Sequence, residues 1–462
     1  MFGLLQQSAD PEVAGQLERL VTGGLDRELV RINAIAFAEK HKLDEERTIA
    51  TLLHAAKIGI FDMSWNVLCP GCGGVLDSNA TLKTVHSDAY ACSLCATDYE
   101  PTLDEMVEVT FTVSPRVRSV AAHSPDTLPP LEYFRQLYFS TELQLPEDFE
   151  SLWDKITLES LDLPAGEKAI ISLQLPQQFI IVFDPITHTA QFLDVKGEPT
   201  KERQALTVIF ETSRSQQATI EMRPGPLRLS VENRTDRKLL PTVFIADHDL
   251  HDLMKQRRSF LTAKRLLSNQ TFRDLFRTDT LDVDQRLKIT SLTFLFTDLR
   301  GSTELYERVG DLVAFDLVRA HFGALNEIVA SEQGAVVKTI GDAVMATFPT
   351  PDRAVSAALR MRDAMLKLNE ERGREDLLLK IGIHEGPCIA VTLNERQDYF
   401  GQTVNIAARV QGLANSREIF ATSAVVNNEL ALSVLKAGGL TPTSHSTTLR
   451  GVANKMSIYA IP

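Results

Sequence analysis

The chain has no excess of basic residues, no apolar stretch long enough to span a bilayer, and almost no cysteine outside one short segment. Its 48 Lys and Arg face 61 Asp and Glu, a net charge of −13. This argues against a general binder of nucleic acid or anionic membranes, because such proteins present a basic face to phosphates. No apolar run approaches the roughly 18 residues that a spanning helix needs. The N-terminal MFGLLQQSADPEVAG lacks the basic start and long apolar core of a secretion signal. A cytoplasmic location without membrane contact is therefore expected. Of the five cysteines, four fall within residues 69–95, and in a reducing compartment that crowding reads as metal ligation before disulfides.

What is present fills a multidomain α+β chain: 462 residues, 44% apolar and 24% charged, exceed a single core and read as globular. Residues 1–65 carry apolar positions at helical spacing and then the alternating IFDMSWNV, a winged-helix-like arrangement. Seven Lys or Arg against nine Asp or Glu in residues 1–60 leave no electrostatic footprint for DNA. A helical packing or dimerisation module is the plainer reading, and nucleic acid is an unlikely partner on charge alone. In residues 66–103, Cys69 and Cys72 precede Cys92 and Cys95 by a nineteen-residue interval. Two CxxC turns facing one tetrahedral ion, with a β-hairpin between them, resemble a zinc ribbon with one structural Zn²⁺. Residues 104–250 supply short strands such as QFIIVFDP and LRLSVENR bounded by turn residues, which predicts a central antiparallel β-sandwich. No cluster there suggests chemistry, and an unknown regulatory ligand or protein partner is the default expectation. Residues 251–289 read as a basic helical linker with a solvated face, holding seven Lys or Arg between Lys255 and Arg277.

Residues 290–462 alternate strands and helices, which predicts an α/β sandwich of helices on one sheet. SLTFLFTD runs an apolar strand into Asp298, where a carboxylate is costly unless something positive meets it. AVVKTIGDAVMATF reads as a hairpin around Gly341-Asp342. If its strands neighbour the first, Asp298 and Asp342 converge as two hard oxygen ligands suited to Mg²⁺ or Mn²⁺. Each carboxylate alone has a plainer role, as helix cap or turn residue. Lys338 is the one basic residue in that hairpin. In DYFGQTVNIAAR, Asp398 ends a strand, and Asn405 and Arg409 share a helix face, offering an amide and a forked cation to sugar and phosphate.

These motifs identify the region. FTDLRGS, VVKTIGDAVMA and DYFGQTVNIAARV, in this order, with LRGVANKMSIYAI at the end, resemble the catalytic domain of class III nucleotide cyclases over essentially all of residues 290–462. The resemblance implies that Asp298 and Asp342 hold two Mg²⁺ or Mn²⁺ ions per active site. It also implies that Gly301, Ser302 and Thr303 offer main-chain N–H groups to the triphosphate, with Lys455 reaching the terminal phosphates. Lys338 and Asp398 would read the purine, Asn405 would position the ribose, and Arg409 would stabilise the transition state. A lysine donor with an aspartate acceptor complements adenine and opposes guanine in polarity, so ATP is the expected substrate and cyclic AMP the product. The family divides its site residues across an interface, and one chain bearing both sets implies a homodimer with two shared sites. The alternatives are a guanylate cyclase, or a catalytically silent nucleotide-sensing scaffold acting in transcription. His384 and Cys388 read as structural.

Overall fold

The computed structural model describes residues 1–462 apart from 87, 212–217, 278–280, 282–284, 394–395, 451 and 453–454 and the side chains of 302 and 303. The chain forms two compact units, residues 1–101 with 106–261 and residues 102–105 with 262–462. Among the described residues no helix is long and apolar enough to cross a membrane.

The first unit begins with helices whose starts are written in the sequence. Asp10 accepts the N–H groups of Glu12 and Val13 at 3.0 and 3.1 Å, with Pro11 at the first helical position. Asn33 and Asp44 cap the helices Ala34–His41 and Glu45–Lys57 in the same way. The strand Phe61–Leu68 follows, central in an antiparallel sheet between Val75–Asn79 and Val107–Val113. Below that sheet lies a buried ion pair, Arg31 Nη2 to Glu108 Oε2 at 2.8 Å. Asn66 and Thr141 also donate to the Glu108 carboxylate, so both of its oxygens are hydrogen-bonded.

Residues 157–245 form two facing sheets with a shared core of residues such as Leu175, Val182, Leu193, Val208 and Leu229. In the strand Phe179–Asp184, residues 180–183 are all apolar because both faces are covered there. Val182 enters the inter-sheet core, whereas Ile181 and Phe183 pack on Phe134, Trp153 and Leu250. The expected all-antiparallel pairing is corrected by two parallel pairs, Gln204–Phe210 with Gly225–Asn233 and Ile220–Met222 with Thr189–Val195. The cause is a crossover: after residue 210 the chain contributes Ile220–Met222 to the opposite sheet and then returns in its former direction. Within the described part of 251–289, the basic helical linker is broken into short pieces that are partly buried. Three short helices, His248–Lys255, Ala263–Leu267 and Gln270–Leu275, bury Leu253, Leu266, Leu267 and Phe272.

The second unit is one eight-stranded sheet. Its order runs Ala335–Ile340, Ala343–Phe348, Leu287–Leu299, Leu379–Leu393, Ile419–Thr422, Met456–Ile461 and Thr443–Thr447, with Arg396–Phe400 pairing further along Leu379–Leu393. Long helices Asp311–Ser331 and Pro351–Arg372 cover one face through Leu317, Leu325, Met361 and Met365 against Leu295, Phe348 and Ile383. The helix Gln402–Leu413 packs against Ile458 and Leu449 through Ile406 and Val410. Ile461 belongs to the first of these cores and Ile458 to the second. Three residues apart on one strand, they point to opposite faces, so the sheet is covered on both sides.

The helix Gln402–Leu413 lies flush on its strand because Gly382 has no side chain. A Cβ at that position would stand 2.1 Å from the main-chain nitrogen of Gln411. Gly382→Ala is therefore expected to destabilise the second unit by about 3 kcal/mol, the upper range of overpacking. Gly412, with nothing within 4 Å of its would-be Cβ, lies in the same helix. Gly412→Ala is expected to be neutral or to stabilise by up to ~1 kcal/mol. Denaturant midpoints of the two variants check the pair.

Candidate functional site

The strand Leu287–Leu299 alternates Leu295 and Leu299 into the core, so Phe294, Phe296 and Asp298 share its other face. Asp298 stands opposite Lys380 in the antiparallel register, and the Lys380 ammonium contacts Asp298 Oδ2 at 2.6 Å. Lys380 was not singled out from the sequence. The available signal was a lone lysine at the start of the apolar LKIGIHEG, but its partner is fixed only by strand register. Asp342 sits in the turn after Ala335–Ile340, and its Oδ2 accepts the main-chain N–H of Leu299 at 3.2 Å. Thr297 Oγ1 accepts the Val344 N–H at 3.2 Å and ties that hairpin to the Asp298 strand. The two carboxylates are thus brought to the same strand end. Their Oδ1 atoms have no hydrogen-bond partner among the described residues. Such a pair of hard oxygen donors fits Mg²⁺ or Mn²⁺.

Gly301 takes a left-handed φ of 70° and opens the helix Ser302–Val309. The main chain of Ser302 and Thr303 therefore forms its first turn, whose N–H groups lack helical partners. The side chains of Ser302 and Thr303 lie outside the described residues. Lys455 is exposed just before Met456–Ile461, and residues 453 and 454 beside it are outside the described residues.

Lys338 and Asp398, sixty positions apart, form an ion pair. The Asp398 side chain is only 9% exposed and Lys338 43% exposed, so the acid is the fixed member. Asp398 Oδ1 also accepts the Tyr399 N–H at 2.8 Å. A residue missed in the sequence supports this pair from behind. Arg273, on the helix Gln270–Leu275, donates through Nη2 to the carbonyls of Gln397 at 2.9 Å and Val337 at 3.4 Å. Those are the residues immediately before Asp398 and Lys338. Gln270 Oε1 accepts the Val336 N–H at 2.8 Å alongside. A cavity of about 290 Å³ adjoins Arg273, Lys338 and Arg396.

Asn405 is exposed and Arg409 half-buried on the helix Gln402–Leu413, and neither has a hydrogen-bond partner among the described residues. Thr403 Oγ1 donates to the Pro387 carbonyl at 2.5 Å and anchors the start of that helix. Among the described residues no hydrogen bond or ion pair joins Asn405 or Arg409 to the other two pairs. His384 and Cys388 are buried: His384 Nδ1 meets Thr422 Oγ1 at 2.7 Å, and burial pushes the Cys388 thiol up to about 12.

In the first unit, Cys69, Cys72, Cys92 and Cys95 place their sulfurs within 4.8 Å of one another. Cys69 and Cys95 are 3.6 Å apart, and Cys72 and Cys92 are 3.7 Å apart. A tetrahedral Zn²⁺ with bonds of about 2.3 Å requires sulfur–sulfur edges of roughly 3.8 Å, so the donor set fits zinc. The two-stranded hairpin Tyr90–Cys92 with Thr97–Tyr99 carries the second pair and does not lie between the pairs.

Residues 1–274 match a family of unknown function (DUF5939), and residues 285–461 match the adenylate and guanylate cyclase catalytic domain. An adenylate cyclase of Anabaena cylindrica is 31% identical over 185 residues, 37% of this chain and 36% of that protein. Adenylate cyclase 2 of Rhizobium meliloti (strain 1021) is 33% identical over 135 residues, 27% of this chain and 37% of its own length. The chain therefore spans little more than a third of these curated relatives. Among solved structures, the adenylyl cyclase CyaB from P. aeruginosa aligns at 24% identity with a TM-score of 0.34, covering 38% of this chain and 96% of that one.

Two buried histidines give this unit a pH signature. Burial holds His321 and His384 down to about 4, opposed in His321 by the Asp342 main chain. The folded state thus favours neutral imidazoles, and their stabilisation is complete above the ordinary value of 6.5. It is lost as pH falls toward 4, by on the order of 3 kcal/mol for each histidine. Urea midpoints measured from pH 7 to 4.5 are expected to fall, and His384→Gln to make the dependence shallower by close to one proton.

Proposed function

The chain belongs through residues 1–274 to the family of unknown function DUF5939 and carries at residues 285–461 an adenylate and guanylate cyclase catalytic domain. From that premise we propose that it converts ATP to 3′,5′-cyclic AMP and pyrophosphate. The observation that carries the choice of ATP is the Lys338–Asp398 pair, held together and backed by Arg273. The lysine ammonium donates to adenine N1 and the aspartate accepts from the N6 amine. Guanine presents a carbonyl and an N–H in those places, and buried polar groups facing the wrong polarity cost several factors of ten.

Asn405 orients the ribose, and the first turn after Gly301 turns its free N–H groups toward the triphosphate. The ribose 3′-oxygen attacks the α-phosphorus, the bond from that phosphorus to the bridging oxygen breaks, pyrophosphate leaves, and the hydroxyl proton passes to solvent. Arg409 meets the negative charge that grows on the α-phosphoryl oxygens, an interaction stronger in the transition state than in the ground state. Two Mg²⁺ or Mn²⁺ ions, when bound by Asp298 and Asp342, supply positive charge to the phosphates and acidity to the 3′-hydroxyl. Lys380 then has a second task. It compensates Asp298 before ions arrive, so the carboxylate is never buried without a counter-charge.

Among the described residues no hydrogen bond or ion pair joins Asn405 or Arg409 to the carboxylates, which supports a homodimer in which each copy completes the other's site. The four cysteines are read as holding one structural Zn²⁺, since no ligand position is left open for chemistry.

Two measurements test these readings. The purified chain with Mn²⁺ is expected to yield cyclic AMP from ATP and no cyclic product from GTP, with Asp342→Ala lowering kcat at least a hundredfold. Cyclic GMP from GTP would overturn the adenine assignment, and no product from either nucleotide would favour a silent scaffold. Separately, metal analysis is expected to find one zinc per chain, lost in Cys72→Ser together with a lower unfolding midpoint.

A further inference from the structure

The first unit contains a cavity that none of the foregoing uses. It measures about 200 Å³ and is lined by four arginines, Arg27, Arg31, Arg135 and Arg258, with no carboxylate in its wall. Like charges gathered around a small space repel one another unless an anion joins them. Two of the four are already compensated: Arg31 pairs with Glu108 at 2.8 Å, and Arg135 meets Glu132 at 2.5 Å. Arg27 and Arg258 form no ion pair within 4 Å among the described residues, although Glu28 lies near Arg27 and Glu39 and Glu108 lie near Arg258. Arg258 donates to the Thr141 carbonyl at 2.7 Å, and desolvation by its neighbours holds its guanidinium below the usual arginine range.

Two unpaired donors lie buried behind the wall, out of reach of its space. Arg31 is 7% exposed and stands at a left-handed φ of 49°, a conformation that a non-glycine residue adopts only when its surroundings enforce it. Its Nη1 donates to the carbonyls of Leu137 and Phe139 at 2.9 and 3.0 Å, which leaves Nε buried without a partner. Ser140, 3% exposed, lines the same cavity with its hydroxyl unpartnered. Unpaired buried donors of this kind are rare in folded proteins. Their company here is four cations.

We propose that this cavity is a binding site for a phosphoryl group. A phosphate dianion supplies several acceptor oxygens to forked guanidinium donors, which a single carboxylate matches less well. The space is large enough for a phosphoryl group. An adjoining groove of about 680 Å³ shares Arg27, Arg31 and Arg258 and also holds Phe37, Ile32, Glu28 and Glu39, so the organic part of a phosphomonoester seated there is apolar or cationic. The site lies wholly within residues 1–261 and does not depend on the cyclase reading.

The test is calorimetric titration of the full chain, at constant ionic strength, with inorganic phosphate, phenyl phosphate, succinate and chloride. Saturable one-to-one binding of phenyl phosphate, with phosphate weaker, is the expected result and identifies a phosphomonoester. Stronger binding of inorganic phosphate supports the same site with the free anion as its occupant. The surface variants Arg27→Ala and Arg258→Ala are each expected to weaken binding about tenfold. Because both lie outside the cyclase unit, cyclase activity of the variants without ligand should stay unchanged. Binding of succinate in preference to both phosphates, no binding of either phosphate, or binding unaltered by the two substitutions would overturn the proposal.

Discussion

The antiparallel pairing of Leu287–Leu299 with Leu379–Leu393 is the constraint on which the second unit depends. Its register sets Asp298 opposite Lys380 and so resolves the cost of a carboxylate at the end of an apolar strand. The strand Leu379–Leu393 carries Gly382, against which the Asn405–Arg409 helix seats, and further along pairs with the strand Arg396–Phe400 that holds Asp398. A one-residue slip would turn Asp298 into the core and Leu295 out of it, so the register is strongly specified. One strand pair thus holds Asp298 and Lys380, the strand of Asp398 and the seat of the Asn405–Arg409 helix in one sheet.

Around that pairing, charge is placed where something holds it. Asp398 is buried yet bonded to Lys338 and to the Tyr399 N–H, and Arg273 fixes the main chain before both partners. Arg31 and Glu108 in the first unit follow the same rule, with every Glu108 acceptor direction occupied by Arg31, Asn66 or Thr141. The departures from the rule are therefore informative. The Oδ1 atoms of Asp298 and Asp342 stay unpaired among the described residues, and four arginines line one cavity of the first unit.

The C-terminal architecture was legible because strand alternation, the Gly341-Asp342 turn and three ordered motifs agree with one another. The hairpin Ala335–Ile340 with Ala343–Phe348 forms around that turn. The central region was read less well. Its strands were visible as apolar runs, but parallel pairing follows from where the chain crosses between sheets, which no local pattern encodes. The segment 251–289 misled for a related reason. Basic residues suggested solvent, whereas Lys264 donates to the Ser291 carbonyl and Arg273 to two others, uses that depend on distant main chain.

The sequence by itself determined the residue types and their order: a CxxC pair of pairs, two strand-end aspartates, a lysine in a hairpin, and an Asn and Arg four apart on a helix. It did so because these signals are local, carried by turns and by the periods of strand and helix. Only the tertiary structure decided that Lys380 meets Asp298, that Arg273 braces the Lys338–Asp398 pair, and that four arginines share one cavity. Those meetings join residues tens to hundreds of positions apart, and their geometry is set by strand register and close packing. Neither exists until the chain has folded.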